Sequence, residues 1–363
     1  MLEPAASAHA IRSEVFSQLG RALASFASKA PWPGHSIGLT EAEYAAFDAA
    51  IEAAHVRNAW FTAAEVRHAL GALAAMLTPA DMGEWLGAYP ALGAERHMRT
   101  VGIITAGNIP FVGFHDLLCV LLCGHSARVK LSSDDAGLTP ALITLLAGLD
   151  PELARHAGLV AGKLGPVDAV IATGSNNTAR YFAHYFGHVP RIIRKSRNGV
   201  AVLDGTETMD ELAALGQDVF RYYGLGCRNV GKVFLPMDFD LDRLFRAFFP
   251  WADIIRHHKY ANNYEYNRAV WMLDRVPITE NGFLLMKEDN ALASPVAALY
   301  YERYADRVAV EARLTEQREQ VQCIVGHGHL PFGTAQQPGP GEYADGVDTM
   351  EFLLALGYRG TKV

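Results

Sequence analysis

The sequence predicts an α/β protein with a helical N-terminal segment, a doubly wound parallel sheet and a second α/β domain. Two observations predict it. Residues 1–96 are rich in Ala, Glu and Leu, and from residue 97 short apolar strands alternate with helices. Repeated βα units form parallel sheets with helices on both faces. The chain has 363 residues, of which 50% are hydrophobic, and this length suits two or three domains.

The helical segment, 1–96, contains a capping-box pattern from Thr62 to Glu65. The first α/β domain, 97–226, follows it. Strands of this domain are predicted at 101–105, 127–131, 167–172, 192–193 and 200–203. Its helices are predicted at 111–123, 138–149, 178–186 and 210–222. Because ligands of such sheets bind at the carboxyl ends of the strands, site residues are expected there.

Residues 227–325 are predicted to form the second α/β domain, with a strand at 232–235 and a helix near 241–249. A polar, aromatic stretch at 257–267 either lines a site or forms a surface turn. Residues 326–363 are Gly- and Pro-rich and then apolar. They are predicted to return to the first domain or to an oligomer contact.

Bulk properties exclude several classes of protein. The net charge of -7, without a long basic run, argues against nucleic-acid binding. No apolar run approaches the ~18 residues of a membrane span. No signal peptide is expected, because residues 1–4 do not form a basic region followed by an apolar stretch. The four scattered cysteines do not form a disulfide scaffold and suit reduced thiols in the cytoplasm.

Cys227 is the most informative residue. Gly224 and Gly226 leave the backbone before it free to turn, and Arg228 places a positive charge beside it. A free cysteine has a pKa of about 8.5, so a neighbouring cation favours the nucleophilic thiolate. Such a thiolate can attack an acyl carbon and hold it as a thioester. A buried structural cysteine is the alternative, and the local sequence leaves both open.

Polar residues follow three predicted strands. Asn108, in 105–110, could direct its side-chain N–H at an oxyanion, although taken by itself it is better explained as an Asx-turn residue. Lys130, Ser132 and Ser133 could hold a ribose or phosphate, or form a surface loop.

The third strand is followed by Gly174 and Ser175, which open a helix. The start of a helix can bind an anion, and Ser175 could equally be a simple cap. No Gly-x-Gly-x-x-Gly or Walker A sequence is present. No metal site is predicted, because His257, His258, His327 and His329 lack the Cys-x-x-Cys or His-Glu-x-x-His patterns of zinc ligands.

The order of these motifs resembles that of the aldehyde dehydrogenase superfamily, and most closely its fatty acyl-CoA reductase branch of the LuxC type. The resemblance spans roughly 55–360. It rests on motifs in a fixed order: 107–110 with 114–116, Lys-x-Ser at 130–132, 172–180, 223–229, Pro-Phe-Gly at 331–333 and 343–348. It implies an aldehyde-dehydrogenase-like fold, with 97–226 as the dinucleotide-binding domain and 227–325 as the catalytic domain.

The resemblance also implies residue roles. Cys227 would be the nucleophile, and Asn108 with the backbone N–H of Cys227 would form the oxyanion hole. Lys130, with Ser132 and Ser133, would contact the adenosine ribose. The remaining cofactor contacts would come from Gly174 and Ser175 at the pyrophosphate or nicotinamide and from Glu288 at the nicotinamide ribose.

Two departures from the superfamily pattern are informative. Hydrolytic aldehyde dehydrogenases carry a glutamate in a Glu-Leu-Gly-Gly stretch as the base for water, but here 196–200 contains no carboxylate. This favours acyl-CoA chemistry. NAD-preferring relatives often place a glutamate where this chain has Ser133, so the absence of that charge favours NADPH over NADH.

The expected function is therefore NADPH-dependent reduction of an acyl-CoA thioester to an aldehyde through a cysteine-bound acyl group. Coenzyme A is part of the substrate. Two alternatives remain: an acyl group delivered by an acyl carrier protein or an acyltransferase, and a catalytically silent nucleotide-binding scaffold. Kinship implies a homo-oligomer.

Overall fold

The computed structural model describes residues 8–94, 96–135 and 137–356, so residues 1–4, considered above for a signal peptide, lie outside them. The helices are α1 Ala8–Ala27, α2 Glu41–Arg57, α3 Ala63–Met76, α4 Pro79–Gly87, α5 Phe114–Leu122, α6 Leu138–Leu149, α7 Pro151–Ala154, α8 Asn176–Tyr185, α9 Met209–Phe220, α10 Asp242–Phe248, α11 His258–Leu273, α12 Arg307–Glu316 and α13 Thr349–Leu356. The strands are β1 Thr100–Ile104, β2 Ser126–Lys130, β3 Ala157–Leu159, β4 Ala169–Thr173, β5 Arg191–Arg194, β6 Asn198–Val202, β7 Val230–Pro236, β8 Thr279–Glu280, β9 Leu285–Glu288, β10 Ala298–Tyr304 and β11 Val321–Val325.

The chain divides into two compact units, and the division differs from the predicted domains. The first unit is Met1–Lys195 with Gln337–Val363, and the second is Ser196–Gln336. The boundary precedes the predicted one at 226 because β6 pairs with β7 and β11 in the second sheet. The helical segment 1–96 belongs to the same unit as the first sheet. The C-terminal segment 326–363 is divided between the two units.

The first unit contains a five-stranded parallel sheet in the order β3-β2-β1-β4-β5. The chain runs outward from β1 through β2 to β3 and then returns to the other side of β1 at β4. The loops after β1 and β4 therefore diverge, and ligands of open parallel sheets bind at such a point. The predicted helix at 138–149 is confirmed as α6. Thr62 caps α3, accepting a hydrogen bond from the Glu65 amide.

The second unit contains six strands in the order β11-β6-β7-β10-β9-β8, and all of its pairs are parallel except β8 with β9. Alternation along β6 explains its two-sided packing: Ala201 joins the core with α9 and α10, whereas Val200 and Val202 pack with α12. The polar stretch 257–267 lies largely in α11, so it is neither a turn nor a loop. No helix of the described ranges has the length and apolarity that a membrane crossing needs.

A buried ion pair joins the C-terminal return segment to the first sheet. Arg194, at the end of β5, donates from Nη1 to both carboxylate oxygens of Asp116 at 2.8 and 3.0 Å. Its Nη2 donates to Thr349 Oγ1 at 2.8 Å. All three residues are buried. One guanidinium therefore links β5, α5 and α13.

We expect Asp116→Ala to lower the free energy of unfolding by about 3–5 kcal/mol, because it leaves the Arg194 charge buried without its partner. The measurement is urea denaturation followed by circular dichroism. Glu14→Ala is the control, since Glu14 pairs with Arg21 at the surface of the same unit and should cost less than about 1 kcal/mol. An equal loss of unfolding free energy in the two variants would show that the buried ion pair stabilises the protein no more than the surface pair does.

Candidate active site

Cys227 lies in the loop between α9 and β7, is half-buried and forms no disulfide. The loop turns sharply because three successive residues adopt left-handed backbone conformations: Tyr222, Tyr223 and Gly224, with φ of 50°, 57° and 78°. Glycine accepts this conformation freely, whereas each tyrosine is strained by about 1–2 kcal/mol. Surrounding contacts must hold the loop in this shape.

Asn229 supplies most of those contacts from a buried position. Its Oδ1 accepts a 2.7 Å hydrogen bond from the Gly226 amide, and its own amide donates to the Gly226 carbonyl at 3.0 Å. Its Nδ2 donates to the carbonyls of Asp218 and Arg221, each at 2.9 Å. One side chain therefore closes the turn around Cys227 and ties it to the carboxyl end of α9.

A second set of hydrogen bonds connects the loop region to the segment that contains the Pro-Phe-Gly motif. Asp218, which is fully buried on α9, accepts hydrogen bonds from the amides of Gly333 at 2.6 Å and Ala335 at 2.9 Å. Arg228 donates from Nε to the Ala335 carbonyl. Burial raises the pKa of the Asp218 carboxyl to about 6, against the opposing effects of the two amides and Arg228.

Sequence reasoning assigned no role to Asn229 or Asp218. Asn229 lies in the quoted motif 223–229, where a polar residue before the apolar strand β7 was the available signal. Asp218 carried a weaker signal, since an acidic residue on an amphipathic helix is ordinarily on the solvent side. Only the fold shows that α9 directs it inward.

A cavity of about 30 Å³ lies next to the loop, at the edge where β6 and β7 begin. Asn198, the first residue of β6, lines it together with Gly224 and Asn229. The other lining residues are Val219, Phe220, Tyr223, Val230, Gly231, Tyr260, Leu284, Ser294, Pro295, Val296, Ala297 and Ala298. None of these side chains is a carboxylate. The stretch 196–200 therefore presents an amide where a base for water was considered.

In the first unit, the loops after β1 and β2 lie together. The Thr105 amide donates to the Lys130 carbonyl at 3.1 Å. A Cβ atom added at Gly107 would lie 2.8 Å from the side chains of Ser132 and Asp134, so only glycine allows this approach. Asn108, the next residue, is half-buried, as are Lys130 and Ser132, whereas Ser133 is exposed. The structure thus places four of the predicted site residues at one corner of the sheet.

Gly174 and Ser175 follow β4, which neighbours β1 at the same edge of the sheet. Ser175 is the N-cap of α8, and its Oγ accepts a 3.3 Å hydrogen bond from the Thr178 amide. The capping role is therefore the one seen in the structure. Since the exposed first turn of α8 still presents backbone amides, an anion can also bind there.

Glu288 is exposed at the end of β9 in the second unit. It pairs with Tyr301 of β10, which pairs with Val233 of β7. Glu288 is therefore level with a point three residues, about 10 Å, beyond the start of β7. Cys227 precedes that start. The contact of Glu288 with the nicotinamide ribose remains a prediction. The pairing of Asn108 with Cys227 also remains a prediction, and these two residues belong to different units.

The histidines considered as metal ligands have other partners. His327, after β11, hydrogen-bonds through Nδ1 to Asp204 at 2.9 Å and through Nε2 to Glu211 at 3.0 Å. These carboxylates raise the pKa of His327 to about 8. Although Asp204, Glu207 and His327 gather their ligand atoms, an imidazolium with two N–H donors offers no lone pair to a metal. His257 caps α11, and its ring lies against that of Tyr223 with centroids 4.4 Å apart and planes tilted by 35°.

Comparison with known proteins shows the class of fold. No protein-family model matches the sequence, and no curated protein does. Solved structures with a similar fold include the NAD-dependent aldehyde dehydrogenase from Sinorhizobium meliloti, at 14% identity, a TM-score of 0.59, and coverage of 88% of this chain and 70% of that one. The NAD-dependent benzaldehyde dehydrogenase from Corynebacterium glutamicum has 11% identity, a TM-score of 0.60, and coverage of 87% and 76%.

The Mycobacterium tuberculosis aldehyde dehydrogenase complexed with NAD+ has 18% identity, a TM-score of 0.52, and coverage of 85% and 76%. These likenesses, together with the two sheets, define an aldehyde-dehydrogenase-like α/β fold. At such identities they show the fold alone. The chemistry has to be argued from this chain's own residues.

The His327 cluster gives a prediction for stability against pH. Because the folded pKa of about 8 exceeds the ordinary value of 6.5, the bridge stabilises the protein fully below pH 6.5 and is lost as pH rises through 8. His327 is one-third exposed, so we expect an effect of about 1 kcal/mol or less. Wild type should exceed His327→Gln in Tm at pH 6 and match it at pH 9.5. A constant difference across this range would exclude the charged bridge.

Proposed function

We propose that the protein reduces an acyl-CoA thioester to an aldehyde through an acyl group bound to Cys227, as a fatty acyl-CoA reductase of the LuxC type. The observation that carries the proposal is the cysteine loop: a half-buried thiol on a strained, fully braced turn, beside a cavity without a carboxylate. The fold adds support, since structures that share it belong to aldehyde dehydrogenases. Reduction rather than acid formation is what the missing base favours.

The proposed reaction starts with the Cys227 thiolate, which attacks the thioester carbon. The side-chain amide of Asn108 and the backbone N–H of Cys227 stabilise the tetrahedral oxyanion. The carbon–sulfur bond to coenzyme A breaks, and the acyl group remains on Cys227. The chemistry that NADPH supplies when bound is a hydride for the acyl carbon. Cys227 is finally released as the thiolate, and the aldehyde leaves.

The carboxyl edge of the first sheet suits a dinucleotide. Lys130 and Ser132 lie beside the glycine corner at Gly107, and Ser175 starts α8 across the divergence between β1 and β4. A lysine, hydroxyls and helix amides are donors for ribose and phosphate oxygens. Exposed Ser133 carries no charge that would repel a 2′-phosphate, which favours NADPH. The related structures named NAD-dependent make NADH the comparison.

The acyl donor and the assembly are further parts of the proposal. Acyl-CoA is the preferred donor, and an acyl carrier protein or an acyltransferase is the alternative. We also propose a homo-oligomer in the cytoplasm, where the four unlinked cysteines would stay reduced. A basic nucleic-acid surface is not expected from the net charge of -7.

We expect Cys227→Ala to abolish acyl-CoA-dependent NADPH oxidation while NADPH binding changes little, because the thiol alone makes the covalent bond. Wild type mixed with acyl-CoA without NADPH should gain the mass of one acyl group, located on Cys227. Cys123→Ala, which removes a buried thiol of the first unit, is the control and should keep both signals. The same assay with acyl carrier protein and with NADH separates the alternatives.

Turnover that survives in Cys227→Ala would exclude this mechanism. An acyl adduct formed only from the carrier protein would favour the second donor. If no donor gives an acyl adduct or NADPH oxidation, a catalytically silent nucleotide-binding scaffold is the remaining alternative.

We expect Asn198→Glu to redirect part of the product from aldehyde to carboxylic acid. The change places a carboxylate in the cavity beside the cysteine loop, where it can take a proton from water that attacks the acyl group. The measurement is the ratio of acid to aldehyde, with Asn198→Gln as the matched control without charge. An unchanged ratio in a folded Asn198→Glu protein would show that the missing base does not direct the reaction.

A further inference from the structure

Asp218 is a buried carboxylate that the proposed reaction does not use. It lies on the turn of α9 that precedes the cysteine loop, and its backbone carbonyl accepts from Asn229. Its two carboxylate oxygens accept separately, Oδ2 from Gly333 and Oδ1 from Ala335. Arg228 is the charged residue that acts on the Asp218 carboxyl, and its positive charge lowers the pKa of that carboxyl against the effect of burial. A fully buried charge held by two amides is costly unless it organises its surroundings.

The contacts of Asp218 converge on the residues that flank Cys227. Ala335, which donates its amide to Asp218, accepts with its carbonyl from Arg228 Nε. The Arg228 carbonyl is also in contact with Cys323 Sγ, at 3.6 Å. The residue after Cys227 is therefore held through its side chain and its backbone. Removing the carboxylate would release 333–335, and with it the guanidinium.

We propose that Asp218 is a positioning residue for Cys227: its carboxylate fixes the 333–335 segment, which in turn holds the side chain of Arg228, the residue that follows the nucleophile. Asp218 acts through Arg228 and does not touch the substrate. Protonation places a hydrogen on one oxygen that faces an N–H donor, so the neutral carboxyl keeps one of its two amide contacts and holds the 333–335 segment less firmly. The thiol then loses the cation that favours its thiolate form.

The test is the rate of alkylation of Cys227 by iodoacetamide, followed by peptide mass mapping. An oriented neighbouring cation lowers a pKa by about one unit, so we expect Asp218→Asn to slow the reaction about fivefold at pH 7.5. Arg228→Gln should slow it equally, and the double variant should be no slower than either single one. Unchanged rates in folded Asp218→Asn, or effects that multiply in the double variant, would overturn the proposal.

Glu207→Gln is the matched control. Glu207 is a buried carboxylate of the same unit, and it also accepts from two backbone amides, those of Asp204 and Gly205. It follows the carboxyl end of β6, at the edge of the sheet opposite the cysteine loop, so its removal should leave the rate unchanged. Equal slowing in Glu207→Gln would reduce the effect of Asp218 to general destabilisation.

Alkylation of the buried Cys119 and Cys123 would reveal that Asp218→Asn does not fold. In that case the pH dependence of Cys227 alkylation in the wild-type protein tests the proposal. Below the thiol pKa the logarithm of the rate falls with unit slope in pH. Under the proposal the slope steepens below about pH 6 in wild type and stays at one in Arg228→Gln. A unit slope in wild type contradicts it.

This inference rests on the proposed role of Cys227 as the nucleophile. Alkylation, however, requires neither acyl-CoA nor NADPH. An inactive protein whose Cys227 responds to Asp218 as described would refute the proposed function alone. An active reductase whose Cys227 ignores Asp218 would refute the inference alone.

Discussion

The side-chain amide of Asn229 is the interaction on which the cysteine loop depends. A loop with three left-handed residues cannot pair its own backbone groups as a helix or strand does, yet buried amides and carbonyls require partners. The side-chain amide of Asn229 serves three of them, the Gly226 amide and the carbonyls of Asp218 and Arg221, and the backbone amide of Asn229 serves the Gly226 carbonyl. The strain of Tyr222 and Tyr223 is tolerated because this network determines the shape of the turn.

Buried polar groups have a parallel part in the first unit. Arg194 with Asp116 and Thr349 fixes the last described helix against the sheet. Nearby, Tyr343 accepts from Trp85 Nε1 at 2.8 Å and contacts Tyr89 at 2.7 Å, which ties α4 to the same return segment. The segment has few apolar residues of its own before α13. Hydrogen bonds and the ion pair therefore fix the position of this segment more specifically than apolar packing alone would.

The sequence predicted the alternation of strands and helices well because apolar runs at strand and helix periods report burial directly. Helix α6 and the strands around Val101, Ala127 and Val233 lie where the pattern indicated them. The division into units was less visible. Consecutive strands β5 and β6 look alike in sequence, and only their pairing partners assign them to different sheets. Short or weakly apolar strands such as β3 and β8 gave no signal.

The site shows the same contrast between features that local sequence indicates and contacts that residues distant in the chain make. Glycines, a cysteine and polar residues at strand ends mark loops, so Cys227, Asn108 and Ser175 could be proposed as site residues from local sequence. Asp218 could not, because its partners at 333–335 are distant in the chain and their contribution is a backbone amide, which any residue possesses. The reactivity of a nucleophile depends on such partners as much as on its neighbours in sequence.

The chemistry therefore has to be read from what surrounds the thiol rather than from the fold. One fold can support different chemistries, and formation of an acid by attack of water on an acyl group is helped by a base beside that group. Strand β6 begins with an amide at Asn198, and no described residue that lines the cavity beside it is a carboxylate. Under the proposed function, an acyl group on Cys227 would lack a base for attack by water, whereas attack by a thiolate or transfer of a hydride needs no such base. Under the proposed function, the direction of the reaction would follow from this missing charge, and the reactivity of Cys227 would depend on the hydrogen bonds that hold its loop.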